Sequence, residues 1–267
     1  MGEGERVLSQ QERLSELLEL LAKRESVSVE LAAQELRVSP ATVRRDMGRL
    51  AQQQVLVRTR GGAVANNLAP DLPLHCKADR HADRKQRIAA AAARLVRPGM
   101  VVGLNGGTTT TEAARAIAAR ETARETAGVG VTVVTNALNI AAELVVRSHV
   151  RVVVTGGVAR PQSHELLGDL AGRMLDGLTI DLMLLGVDAL DPDQGATAHH
   201  EGEAGINRMM TDRAQRVIVL ADSSKLLKSA FARICRTGRI DTLITDTSAD
   251  DAAVKSFQAL GVSVIRA

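Results

Sequence analysis

Aromatic side chains are nearly missing: there is no Trp and no Tyr, and two Phe are all that 267 residues contain. Any interior must therefore be filled by Leu, Val, Ile and Ala. Cysteine is limited to Cys76 and Cys235, which suits a reducing compartment better than a disulfide framework. No apolar run approaches the roughly 20 residues that span a bilayer. The acidic opening Gly2-Glu3-Gly4-Glu5 is unlike a secretory signal, so a soluble cytoplasmic protein is expected. A strong net charge is lacking too. A formal +3 is weak evidence for nucleic acid until the charge is located. What is abundant is apolar residues, 45% of the chain, enough for a large domain or for a small one joined to a medium one.

The first 60 residues have a pattern of their own. Leu14, Leu17, Leu18 and Leu21 recur at helical spacing between charged residues. A second helix is expected from Ser28, a suitable N-cap followed by Glu30 in the first turn. A third starts at Ser39 with Pro40 at its first position, where a missing N–H costs nothing. Its Val43, Met47 and Leu50 form one apolar stripe, leaving Arg44 and Arg45 on another face. Val55 to Arg60 favours a strand, and Gly61-Gly62 permits a turn or a close backbone approach. From Arg37 to Arg60 the bases are Arg37, Arg44, Arg45, Arg49, Arg58 and Arg60, against the single acid Asp46. Such segregated charge can place a helix in one groove of a duplex and a basic wing on its backbone. Arg45 and Asp46 are also candidates for a structural pair, which leaves Arg44 as the better reader of bases.

Residues 64–84, with Pro70 and Pro73, read as a linker that turns helical on entering a second domain. His75, Cys76 and His81 match no familiar ligand spacing, so neither a metal nor a cofactor is expected. Lys85 to Leu95 is alanine-rich and helical, stopped by Pro98-Gly99. Beyond it, short apolar runs alternate with helical segments: 100–104, 131–134, 150–154, 180–185, 216–220, 242–245 and 262–265. That alternation predicts a largely parallel sheet with helices on both faces.

Polar and glycine residues follow those strands, where open α/β sheets bind ligands. Asn105, Gly106, Gly107, Thr108, Thr109 and Thr110 have the ingredients of a phosphate cradle. Glycine lets amides approach an anion, hydroxyls add donors, and the helix behind presents its positive end. The segment is neither a Walker loop nor a dinucleotide fingerprint. Asn136 and Asp188 can bond hydroxyls, and Lys225 can meet a phosphate.

Taken together, Ser39 to Met47, Leu50 and Arg60-Gly61-Gly62-Ala63 resemble the DeoR family of bacterial transcriptional regulators. Lys85 to Ala90, Asn105-Gly106-Gly107-Thr108-Thr109, Val133-Val134-Thr135-Asn136, Gly156-Gly157, Asp222-Ser223-Ser224-Lys225 and Asp241 to Asp246 resemble its sugar-phosphate sensor, in family order. The likeness runs over roughly residues 8–247. It implies a winged helix-turn-helix (8–63), a linker (64–84) and an α/β sensor domain (85–267) resembling ribose-5-phosphate isomerase. The implied function is a repressor, dimeric or larger, relieved by a phosphorylated sugar or related metabolite. The implied DNA surface comprises Arg37, Ser39, Thr42, Arg44, Arg45, Arg49, Arg58 and Arg60. The implied effector site comprises Asn105 to Thr110, Thr135, Asn136, Gly156, Gly157, Asp188, Glu203 and Lys225. His199 and His200 are expected in a solvated loop.

Two departures from the family pattern stand out. Asn105 replaces the usual Asp, removing a charge and adding a donor beside the cradle. Ala137 replaces the usual Ser. Two alternatives remain open at this point. One is isomerase-like chemistry with Asp188, Glu203 and Lys225 as acid–base groups; the other is an activator with the same sensor.

Overall fold

The structure, a computed structural model, describes residues 9–24, 26–52, 56–65, 74, 77, 81–122 and 130–267. The chain divides into two compact units, Met1–Arg80 and His81–Ala267. Most of the expected linker, with His75 and Cys76, lies outside the described residues.

The first unit runs α1 (Gln10–Arg24), β1 (Ser26–Ser28), α2 (Val29–Glu35), α3 (Pro40–Gln52), β2 (Leu56–Thr59) and β3 (Gly62–Ala65). Leu17 and Leu21 of α1, Ala32 and Leu36 near α2, and Val43, Met47 and Leu50 of α3 share one core. Both expected caps are in place. Ser28 Oγ accepts from the Leu31 amide at 3.1 Å, and Ser39 Oγ from the Thr42 amide at 3.2 Å. Replacing such a cap with alanine typically costs about 1 kcal/mol.

The two glycines take one role each. Gly61, at φ 93°, makes the two-residue turn between β2 and β3. Gly62 lies so close to β1 that a Cβ there would sit 2.3 Å from the Val27 carbonyl oxygen. That approach makes β1 a third strand, in the order β1-β3-β2, where the sequence suggested only a hairpin. Ser-Val-Ser is too short to show a period of two. Three helices and a β-hairpin wing constitute a winged helix-turn-helix.

The second unit runs α4 (Ala82–Leu95), β4 (Val101–Leu104), α5 (Thr108–Thr122), β5 (Val131–Thr135), α6 (Leu138–Leu144) and β6 (Val150–Val154). A small hairpin, β7 (Val158–Ala159) with β8 (Leu166–Leu167), precedes α7 (Asp169–Leu175) and β9 (Ile180–Gly186). Then come β10 (Ala189–Asp191), β11 (Gly195–Ala198), α8 (Glu201–Asp212), β12 (Ala214–Leu220) and β13 (Ala232–Cys235). The chain closes with β14 (Thr242–Thr245), α9 (Asp251–Ala259) and β15 (Ser263–Arg266).

Seven strands form one sheet, ordered β15-β14-β12-β9-β4-β5-β6, and all neighbours are parallel. These are the seven runs picked out by their apolar composition. Successive side chains of a strand point to opposite faces, and the packing follows suit. Leu182 and Leu184 of β9 join Ile218 and Leu220 of β12 in a layer under α4, α5 and α6. Met183 and Leu185 join Val217 and Val219 in a second layer under α7, α8 and α9. The three-stranded antiparallel sheet β10-β11-β13 and the β7–β8 hairpin were not legible in the sequence.

Strand order fixes where a ligand can enter. From β4 the chain steps outward through β5 to β6, then returns to β9 on the other side of β4 and steps away through β12, β14 and β15. The order reverses between β4 and β9, and the carboxyl ends of strands at such a reversal are the usual ligand position in open α/β sheets.

Candidate functional site

On the first unit, Arg37, Arg44, Arg45, Arg49, Arg58 and Arg60 are all exposed. Arg37 occupies the turn between α2 and α3 with a φ of 51°. Ser39 and Thr42 share a hydrogen bond at 2.9 Å at the start of α3. The expected Arg45–Asp46 pair does not form. Asp46 is buried and takes the Nε of Arg13 on α1 at 3.0 Å. Helical geometry explains this: Asp46 lies beside Met47 and Val43 on the inner face, whereas Arg45 points away.

In the second unit, Asn105 closes the gap between the two switch-point strands. Its Nδ2 donates to the Gly186 carbonyl at 3.0 Å, and its Oδ1 accepts from the Gly186 amide at 2.7 Å. A carboxylate could accept the second bond but not donate the first. The amide is thus a two-point strap, spent on the scaffold.

The segment expected to cradle a phosphate follows immediately. Gly107 has a φ of 138°, and its carbonyl accepts from the hydroxyls of Thr110 at 3.0 Å and Thr111 at 2.7 Å. Both hydroxyls are thus spent on the Gly107 carbonyl, and the first-turn amides of α5, which a helix leaves without intrahelical partners, follow directly on Gly107. Thr108 and Thr109 stand in that first turn, half-buried and buried.

The neighbouring strand end brings Thr135 and Asn136. Thr135 Oγ1 accepts from the Ala137 amide at 3.1 Å, while Ala137 caps α6 without any side-chain hydrogen bond, as expected where Ser is lost. Asn136 is fully buried, and its Nδ2 donates to Glu165 Oε2 at 2.8 Å. Glu165 was not anticipated. It comes from the turn of the β7–β8 hairpin, which lies against the end of β5 through a bridge between Ala137 and Glu165. Gly157 has a φ of 134°, and a Cβ there would meet the Leu167 carbonyl oxygen at 2.5 Å. Gly156-Gly157 therefore folds the hairpin inward.

Glu165 faces a carboxylate cluster. Glu203 of α8 pairs with Arg160 at 3.0 Å, both largely buried, and Asp188 accepts from the His199 amide at 3.0 Å. Burial, then the charge of Glu203, pushes the Glu165 carboxyl up to about 8. Asn207 of α8 reaches the same group, its Oδ1 3.5 Å from Asn136 Nδ2. His199 and His200 are half-buried, and His200 caps α8 through its Nδ1 on the Gly202 amide at 3.1 Å. Lys225 stands half-buried in the turn after β12, next to the bridge between Leu226 and Leu190.

Most residues singled out in the sequence thus stand at the carboxyl ends of adjacent strands. Glu165, Arg160 and Asn207 were missed. Their one signal was the polar stretch Arg160-Pro161-Gln162-Ser163-His164-Glu165, which reads as an ordinary loop.

Residues 13–68 match the DeoR-like helix-turn-helix domain, and residues 80–247 match the DeoR C terminal sensor domain. The chain is 34% identical to the putative aga operon transcriptional repressor of Escherichia coli O157:H7, over 97% of this chain and 95% of that one. It is 26% identical to the glycerol-3-phosphate regulon repressor of Escherichia coli K12, over 90% and 92%. Among solved structures, ribose 5-phosphate isomerase A from Methanocaldococcus jannaschii is similar over 54% of each chain, at 21% identity and a TM-score of 0.41.

Proposed function

The chain belongs to the DeoR family of transcriptional regulators, and on that premise we propose that it is a repressor released from its operator by a phosphorylated sugar or related metabolite. The observation that carries this reading is the pairing, in one chain, of an arginine-faced winged helix with a helix N-terminus at a sheet switch point. The chain is a regulator rather than an isomerase, as its relatives over nearly the full length are named repressors.

Helix α3 enters the major groove, where Arg44 reads bases. Arg45, Arg49, Arg58 and Arg60 hold phosphates, with Arg37, Ser39 and Thr42 setting the approach of the helix. One such domain has a small footprint, so two copies on paired half-sites supply useful affinity. The protein therefore acts as a homodimer or larger assembly, in the cytoplasm where its DNA lies.

Effector control requires a ligand that binds the DNA-bound and DNA-free arrangements unequally. Its phosphate sits on the first-turn amides of α5, around Gly106 to Thr110. Its hydroxyls meet Asn136, Asp188 and Glu203, and Lys225 supplies a cation. Thr135, Gly156 and Gly157 shape the floor. Asn105 holds β4 to β9.

Footprinting on the DNA upstream of the protein's own gene, at fixed salt with scrambled competitor, tests the DNA half. Protection of two half-sites about one helical turn apart is expected. Uniform weak protection at every sequence would contradict it.

A further inference from the structure

Glu165 is a carboxylate where a phosphate cradle would least tolerate one. Its side chain lies on Gly106: a Cβ at that glycine would fall 2.4 Å from Glu165 Cγ and 2.5 Å from Oε1. The next residues along the chain are Gly107 and the first turn of α5, whose amides form the cradle. An anion seated there is an immediate neighbour of this carboxyl. In an environment closed to water, two such charges repel strongly.

Burial and the charges of Glu203 and Asp188 outweigh the hydrogen bonds from Asn136 and Asn207, which favour the charged form of Glu165. From α8 it faces Glu203 and Asn207, and from the end of β9 it faces Asp188. The end of β5 contributes the neutral Asn136, and the end of β4 contributes the uncharged Asn105 and Gly106. On its own hairpin, Arg160 is engaged by Glu203, and His164 is exposed. Asn136, fully buried, also has an Oδ1 with no hydrogen-bond partner among the described residues. A buried acceptor left open beside a carboxyl is able to take a donor from a ligand.

We propose, resting on the effector reading above, that Glu165 is the proton-bearing specificity residue of this site. It receives the phosphorylated ligand as a neutral acid, and the complex holds one proton between the carboxyl and the phosphate. Where Glu165 is ionised beforehand, that proton comes from solvent: carboxylate, phosphate dianion and one proton combine, and no other bond changes. A ligand hydroxyl donates to Asn136 Oδ1. The site thereby prefers a phosphate monoester bearing a nearby hydroxyl over the unphosphorylated sugar.

Calorimetric titration of the full-length protein tests this, with glycerol 3-phosphate, ribose 5-phosphate and fructose 6-phosphate as probes. Each is run at pH 7, 8 and 9 in buffers of different ionisation enthalpy. These esters are already mostly dianions at pH 7, since their second ionisation lies near 6.

With the free carboxyl titrating at about 8 and the free ester near 6, proton uptake per bound ligand should rise from about zero at pH 7 to about nine-tenths at pH 9. Affinity should fall by up to about tenfold per pH unit above 8. Glu165→Gln keeps the shape and a donor. Its binding should carry no proton uptake and show a flat pH profile over the same range. A general alkaline loss of structure would affect both proteins equally. Equal proton uptake in both, or binding by the parent without uptake at pH 9, overturns the proposal while leaving the effector reading intact. No binding by any probe at any pH overturns the effector reading, and this proposal with it.

Discussion

Asp46 of α3 is bonded to Arg13 of α1 through its Oδ2 and the arginine Nε, 3.0 Å apart, with the acid almost wholly buried. The bond ties the helix that would enter DNA to the helix behind it. It also removes the one acid in the segment from the exposed face, so Arg44, Arg45 and Arg49 keep their full charge toward solvent. The contact of Arg44 with Glu30, 3.9 Å apart and exposed on both sides, is worth little and yields readily to a phosphate or base.

Asp46→Ala should therefore lower stability by about 2–4 kcal/mol, because it breaks a largely buried ion pair between α1 and α3. Urea denaturation of the full-length protein, followed by a probe in the first unit, reads this directly. An unchanged midpoint would show that the pair is not holding α3.

Arg44 and Arg58 should separate specificity from affinity. Arg44→Ala should cost about 1–3 kcal/mol on the operator and flatten the ranking of a base-substitution series. Arg58→Ala should weaken all duplexes alike and reduce the salt slope by about one. Competition binding at several salt concentrations distinguishes the two. A preserved base ranking in Arg44→Ala would remove it from the role of reader.

Asn105→Asp makes the chain more like its family at that position and should nevertheless cost stability. The new carboxylate cannot donate to the Gly186 carbonyl, and it stands buried beside the cradle. A loss of about 1–3 kcal/mol is expected from the unsatisfied group, together with weaker binding of phosphorylated ligands. Thermal unfolding with and without ligand measures both. A gain in stability would mean that the Asn105 strap is not the favourable element described here.

The raised carboxyl of Glu165 has a stability consequence with a definite sign. Its proton is held up to about 8 in the fold, well above the ordinary 4.5. The unfolded chain therefore loses that proton first. The contribution of Glu165 to stability is complete below about pH 4.5 and drains away as pH rises toward 8. Glu165→Gln should lack this slope, gaining on the parent across that interval and most at its alkaline end. Denaturant midpoints from pH 5 to 9 for the two proteins give the comparison, and parallel curves would contradict it.

Much of this was legible in the chain because its signals are local. Ser39-Pro40 caps a helix by chemistry that needs no tertiary partner. The inner strand β9 is buried on both faces, so it reads as an unbroken apolar run from Leu182 to Leu185. The misses share a different cause. Ser26–Ser28 becomes a strand because Gly62 lets it approach, and β11 is a strand because β10 and β13 flank it. Glu165 reaches the cradle because Gly157 folds a hairpin over the end of β5. Asp46 finds Arg13 33 positions away. None of these contacts leaves a periodic or compositional trace; the sequence offers Asp46 only its neighbour Arg45 as a candidate partner.

The most direct test of the account is an anisotropy titration of the full-length protein on duplex from its own upstream region, at fixed salt with scrambled competitor. It is repeated with phosphorylated sugars and with the same sugars unphosphorylated. Sequence-specific binding is expected, weakened at least tenfold by one phosphorylated compound and unaffected by its unphosphorylated form. Specific binding that no phosphorylated compound alters, or no preference over scrambled DNA, would contradict it.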